Sequence, residues 1–299
     1  MAIKEFGTGP EGQQALLCTM QNASGMTVEV LNYGATIHSI TVPDEEGEMD
    51  DVLLGAATLE GYISGAPSAA VIGRVANRIG GAAFTLDGIE YRLQANVNAN
   101  MLNAASGNYG RRLFSVTEAT DNQIRLVLND DGTPGFPGSA LVEVLYTLDD
   151  DGTLGAVYTL VPTEVTPVNL TNHAYFNLAG QASGSVDDQF VQIHSALYTP
   201  TDLEDIPTGE VWSVEGTPLD FRNGQRMDNA FKALAEWGDW HNGYDFNFIV
   251  AGRGYREAAR AWHPASGRTL TVYTDLPALQ LYTANALTGK DGEGKDGVI

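Results

Sequence analysis

Apolar and polar residues alternate with a period of two in run after run of this chain. Residues 27–31, 36–42, 123–128 and 141–148 each set valine, leucine or isoleucine against polar neighbours, the pattern of half-buried strands. Asp87-Gly88, Asp131-Gly132, Asp151-Gly152 and Ser266-Gly267 punctuate the runs, and such dipeptides accept the positive φ angles of tight hairpin turns. A helical period occurs only around residues 227–237, where Met227, Ala230, Phe231, Leu234 and Trp237 recur at spacings of three and four and read as a packed face. Many short strands and little helix predict an all-β protein, a large antiparallel β-sandwich. With no linker, low-complexity tract or fixed-period repeat, residues 1–299 read as a single domain.

Composition narrows the ligand more than the fold. At 43% hydrophobic and 18% charged the chain is globular, and no apolar run is long enough to cross a bilayer. A formal net charge of −22 repels nucleic acid and anionic membrane and disfavours highly phosphorylated substrates, so a neutral ligand fits best. The start of the chain lacks a basic stretch followed by an apolar one, which points to the cytoplasm. Cys18 is the single cysteine; it reads as a small buried apolar residue and leaves no intramolecular disulfide or thiolate cluster to build. Asp149-Asp150-Asp151-Gly152 lacks the further ligand spacing and closing glutamate of a calcium loop. No metal and no cofactor are expected.

The densest chemistry lies at residues 168–180, where His173 stands among Asn169, Thr171, Asn172, Tyr175, Phe176 and Asn177. Amides and hydroxyls read sugar hydroxyls, aromatic faces cover the C–H patches of a pyranose, and an imidazole exchanges protons near neutral pH. A hydrogen-bonded core histidine is the competing reading. Gly73-Arg74-Val75-Ala76-Asn77-Arg78-Ile79 offers two arginines; in so acidic a chain, one suits a structural ion pair and the other a sugar oxygen, and sequence does not apportion them. Asp245, between Tyr244 and Phe246, suits either two neighbouring sugar hydroxyls or the cap of a turn.

These segments, together with Asn32-Tyr33-Gly34-Ala35-Thr36-Ile37, Leu219-Asp220-Phe221-Arg222 and Leu279-Gln280-Leu281-Tyr282-Thr283-Ala284-Asn285, resemble the aldose 1-epimerase (galactose mutarotase) family along nearly the whole chain. The resemblance implies a galactose mutarotase-like supersandwich that interconverts the α and β anomers of free hexoses such as galactose and glucose, without metal or organic cofactor. A base takes the proton of the anomeric O1 hydroxyl, an acid protonates ring O5, the C1–C2 bond of the opened sugar rotates, and the roles reverse on closure. His173 matches the family's proton donor. Asn77, Arg78, Asp245 and Gln280 match sugar contacts, and Tyr175 either orients the donor or packs beside it. The implied partner is a free aldose, with neither nucleic acid nor membrane, and the assembled form a monomer or homodimer.

Two departures stand out. Where the family has a histidine, followed by two glycines, this chain has Asn103-Ala104-Ala105; asparagine still hydrogen-bonds a sugar oxygen but exchanges no proton near pH 7. The family's general-base glutamate belongs to a strand expected beyond Ile299, so the last C-terminal strands read as absent. Glu293, in a glycine-rich stretch, is a poor substitute for a base that must be held closely. A longer enzyme, a non-catalytic sugar-binding relative and an enzyme with another base all fit these departures. A sugar-phosphate epimerase would draw on Arg74, Arg78, Arg111 and Arg112.

Overall fold

The computed structural model describes residues 2–9, 12–238, 241–287 and 294–295; Glu293 lies outside them. The elements are overwhelmingly antiparallel strands, with α-helices at Leu59–Ser64 and Met227–Trp237, so the all-β prediction holds. Two compact units form, the first from the described residues of 1–42, 53–175 and 294–295, the second from 43–52 and 176–287. No helix among the described residues is long and apolar enough to span a membrane.

In the first unit, the strands Ala2–Thr8, Gln14–Gln21, Thr27–Leu31 and Thr36–Pro43 pair in sequence order, and Ser115–Ala119, Gln123–Asp130, Ala140–Leu148 and Leu154–Pro162 do the same. Successive side chains of a strand point to opposite faces, and Ala140–Leu148 shows the result, with Ala140, Val142, Val144, Tyr146 and Leu148 all buried. The same alternation in its neighbour buries Ile124, Leu126 and Leu128, then carries one step further and buries Asp130. A carboxylate on the apolar side of a strand requires a counterion, and the site described below is built around it.

Helix Leu59–Ser64 has no counterpart in the periodicity, although its caps stand in the sequence. The Thr58 hydroxyl accepts the Gly61 N–H at 3.2 Å, and the helix ends on Gly65 at φ 105°, the left-handed stop that glycine adopts without penalty. It is held by packing Leu59 and Tyr62 onto Ala15, Leu17, Leu31 and Tyr33. Each such buried side chain contributes about 1.5–3 kcal/mol.

The turn dipeptides behave unequally. Asp87-Gly88, at φ 50° and 80°, joins Ala83–Leu86 to Ile89–Arg92 as the mirror-image turn that suits strand twist. Asp131-Gly132 is not a tight hairpin: residues 131–139 intervene before the next strand, because Gly132 and Thr133 both turn back to hydrogen-bond Asp130. In the acidic run, Asp150 accepts the Ala23 N–H and Asp151 that of Thr153. Cys18 is fully buried and unoxidised, as expected.

The second unit contains two four-stranded sheets. Their strand orders are Gln225–Arg226, Phe190–Ile193, Arg256–Trp262, Thr269–Thr274, and Trp212–Ser213, Leu197–Thr199, Asp245–Ile249, Ala278–Tyr282. Helix Met227–Trp237 buries Met227, Ala230 and Leu234 in a core with Phe221, Tyr244, Phe246 and Phe248, and Phe231 packs against it. Trp237 departs from the expected packed face and is 47% exposed. At 100° per residue its side chain lies at the edge of the buried stripe, about 20° from Ala230, and its exposure follows from its place on the last residue before the left-handed cap Gly238.

His38 is buried on the strand Thr36–Pro43, its Nδ1 2.8 Å from the Tyr62 hydroxyl. Lys295 Nζ donates to the carbonyls of His38 and Leu53, each at 2.7 Å. Burial above all, with the Lys295 charge adding to it and Glu29 opposing, pushes the imidazole down to about 4. The unfolded chain therefore binds a proton on His38 below about pH 6.5 that the folded chain refuses, and stability falls as pH drops through that window. Thermal and urea unfolding should show a loss of roughly 2–3 kcal/mol between pH 7 and pH 4.5 from this residue, and His38→Gln should abolish that part of the loss. An equally steep decline in the variant would refute the assignment.

Candidate functional site

The polar residues singled out in the sequence are gathered by short ladders that periodicity could not reveal. In the first unit, Thr171–Asn172 pairs antiparallel with Val71–Ile72, and the His173 N–H donates to the Ala70 carbonyl at 3.0 Å. Upstream, Asn169 accepts the Ala76 N–H at 2.8 Å and donates to the Arg74 carbonyl at 2.9 Å. Residues 169–173 thus lie along the segment that leads into Asn77 and Arg78. Met101–Leu102 pairs with Arg78–Ile79 and brings in Asn103.

Asn77 and Asn103 grip each other. The Asn77 N–H donates to Asn103 Oδ1 at 2.8 Å, and the Asn103 N–H donates to the Asn77 carbonyl at 2.9 Å. A backbone N–H can only face the oxygen of a carboxamide, so the NH₂ of Asn103 is the group left to meet a ligand. Asn77 and Asn103 both hold left-handed backbone, at φ 65° and 52°, a region asparagine tolerates better than most residues. Arg78 extends beside them, Nη1 3.4 Å from Asn77 Oδ1. The imidazole of His173 stacks on Tyr175, ring centres 5.1 Å apart and planes 25° from parallel. Both rings are half-buried, which leaves part of the imidazole accessible.

Arg74 and Arg78, equivalent in the sequence, separate completely. Arg74 is fully buried and meets Asp130, itself 1% exposed, at 2.6 Å. It also donates to the carbonyls of Pro137 and Gly138 and to the Thr166 hydroxyl. Asp130 collects further hydrogen bonds from Tyr109 at 2.7 Å, Thr133 at 2.7 Å and Arg112 at 2.9 Å. Burial alone would raise its carboxyl, but the hydrogen bonds from Arg74, Tyr109 and Thr133 outweigh it and hold the carboxyl at about 2. Burial and the neighbouring carboxylate push the Tyr109 phenol up to about 12, against the pull of Arg74. Gly73 must be glycine: a β-carbon there would overlap the Leu170 side chain and the Tyr109 ring. This cluster sets the course of residues 73–78, and with it the place of Asn77 and Arg78. It commits Arg74 and Arg112 to Asp130, so two of the four arginines that could have served a phosphate are already engaged.

In the second unit, Asp245 opens its strand and Gln280 lies on the adjacent strand, opposite Asn247. Gln280 Nε2 donates to Asp245 Oδ1 at 2.7 Å. The half-buried carboxylate and the exposed amide form a ready-made acceptor and donor pair. Gln280 stands mid-strand. No group of three or more potential metal ligands is gathered among the described residues.

Asp130 and Tyr109 escaped the sequence reading, and Asn172 stood there only as one of the amides around His173. Asp130 was hidden beside a turn dipeptide; the signal that could have found it is its place one alternation beyond Leu128.

The profile of the family described as aldose 1-epimerase matches residues 17–297. The human galactose mutarotase is 40% identical over 297 residues, covering 98% of this chain and 84% of that protein. The aldose 1-epimerase of Escherichia coli K12 is 36% identical over 291 residues, covering 96% and 84%. Among solved structures, an aldose epimerase homologue from C. elegans superposes with a TM-score of 0.85 at 27% identity, over 94% of this chain and 84% of the other. A galactose 1-epimerase from Lactobacillus acidophilus shares the fold, with a TM-score of 0.81 at 24% identity over 97% and 84%.

Breaking the buried pair from one side leaves an uncompensated charge. Asp130→Asn should therefore lower stability in urea unfolding by about 3–5 kcal/mol. A loss below about 1 kcal/mol, the scale of an exposed pair, would show that Arg74 does not depend on this carboxylate.

Proposed function

This chain belongs to the aldose 1-epimerase family, and we propose that it interconverts the α and β anomers of free hexoses such as galactose and glucose by acid–base opening and closing of the ring. The observation that carries the reading is the ladder of residues 169–173 on 70–76, which ties the one imidazole of the motif to the backbone that presents Asn77 and Arg78. Ring opening asks for a proton on O5 as the C1–O5 bond breaks and removal of the O1 proton as the carbonyl forms. His173 is the acid at O5 and solvent water takes the O1 proton; the neutral imidazole left after transfer takes the O5 proton back when the opposite anomer closes. Stacking on Tyr175 restricts the ring to one plane, so Tyr175 orients the donor.

Asn77, Arg78 and the NH₂ of Asn103 act on the sugar as fixed hydrogen-bonding groups. Asn77 and Asn103 hold each other, so little is lost in ordering them on binding. Asp245 and Gln280 are proposed as a further acceptor and donor for sugar hydroxyls, on the match of their motifs to the family. The net charge of −22 and the commitment of Arg74 and Arg112 to Asp130 favour a free sugar over a phosphorylated one.

Asn103, which stays neutral over the whole physiological range, gives a second reading its footing: a sugar-binding relative that does not turn over. Polarimetry of pure α-galactose, with protein and with buffer alone, separates the two. Acceleration proportional to protein concentration supports the epimerase, while saturable galactose binding with no acceleration supports the binding protein. In the active protein, His173→Asn should cut the protein-dependent rate by about 10²–10⁴, with galactose affinity retained. Unchanged turnover in that variant would remove His173 from the chemistry.

A further inference from the structure

The strand that delivers His173 contains two residues, Thr171 paired with Ile72 and Asn172 with Val71. Backbone bonds of Asn169 and His173 extend the ladder, but a ladder this short fixes its register only weakly, and a slip of one residue turns every side chain to the other face. A side chain that is satisfied in one register alone reinforces the choice, and that of Asn172 is placed to do it. Its Nδ2 donates to the Ala69 carbonyl at 2.8 Å and reaches the Tyr146 hydroxyl at 3.4 Å. Tyr146 is wholly buried and donates to the Ala35 carbonyl at 2.8 Å. Ala69 also accepts the Ile37 N–H at 3.1 Å. One carboxamide thereby joins the segments around residues 35–37, 69–72 and 146 to the residue next to the imidazole.

We propose that Asn172, anchored on Tyr146 and the Ala69 carbonyl, is a positioning residue that pins the register of its strand and so sends the His173 imidazole to the opposite, ligand-facing side. Alternation along the strand does the rest: with Asn172 turned to buried Tyr146, its neighbours Thr171 and His173 face the other way. No apolar residue at 172 can discriminate between registers in this manner, because a half-buried carboxamide is satisfied in one register and loses these partners in the other. The inference rests on the reading of His173 as the proton donor.

Two variants test it. Asn172→Leu keeps the volume and removes the hydrogen bonds, and Tyr146→Phe keeps the ring and removes the hydroxyl. A misplaced acid loses rate while the sugar-binding groups remain, so kcat for galactose mutarotation should fall about tenfold or more in Asn172→Leu and a few fold in Tyr146→Phe, with KM within about twofold of the parent. In NMR spectra, the His173 ring C–H signals, assigned by their absence in His173→Asn, should split or broaden in both variants where the parent shows one sharp set. Wild-type kcat per folded molecule together with one sharp His173 signal in both variants would overturn the proposal, even if their melting temperatures fell. Should Asn172→Leu fail to fold, Tyr146→Phe decides alone. A parent protein that does not accelerate mutarotation would defeat the reading of function instead, and the His173 signals, taken without sugar, would still decide the role of Asn172.

Discussion

The ion pair between Arg74 and Asp130 is the constraint on which the arrangement of the first unit depends. Both groups are withdrawn from water, at a cost of several kcal/mol per ion that only close and complete hydrogen bonding offsets. Completeness is what the neighbourhood supplies. Tyr109, Thr133, Arg112 and the Gly132 N–H complete the acceptor sites of the carboxylate, and two carbonyls and a hydroxyl occupy the guanidinium. The strand Gln123–Asp130, the connection after it and the segment 73–78 are thereby drawn to one point. Asn77 and Arg78 inherit their place from this buried pair.

Much of this fold can be read along the chain wherever one face of a strand is buried and the other wet. Residues 123–128 and 141–148 alternate and are strands; residues 227–237 repeat at helical spacing and are a helix. Reading fails where tertiary partners decide. Asp130 beside Asp131-Gly132 has the composition of a turn, and only its parity with Ile124, Leu126 and Leu128 betrays that it points inward. Arg74 and Arg78 share one motif, and the difference between a wholly buried ion pair and a half-buried side chain lies in what the Asp130 strand brings up to them. Thr171–Asn172 is too short to carry any period. Asp245 and Gln280 stand 35 positions apart and meet only through cross-strand register.

In the first unit the candidate residues are mainly amides and rings held by one another rather than a cluster of charge. The Asn77–Asn103 clamp and the His173–Tyr175 stack each exist before any ligand arrives. That suits a substrate whose oxygens are alike and uncharged, where selectivity comes from the angle and sense of each hydrogen bond. It also sets the charged cluster around Asp130 apart from the proposed binding groups, which are amides.

Asn103 is followed by Ala104 and Ala105, all three in left-handed backbone at φ 52°, 57° and 49°. A β-carbon disfavours that conformation by about 1–2 kcal/mol per residue, so this stretch is kept in shape by its surroundings rather than by its own preference. The mutational neighbourhood of the loop is correspondingly narrow and lopsided. Glycine, asparagine and aspartate are tolerated there, alanine is already a compromise, and valine, isoleucine or threonine would break the turn that presents the Asn103 carboxamide. A lineage drifting at these positions has few routes open, and those few lead back toward glycine.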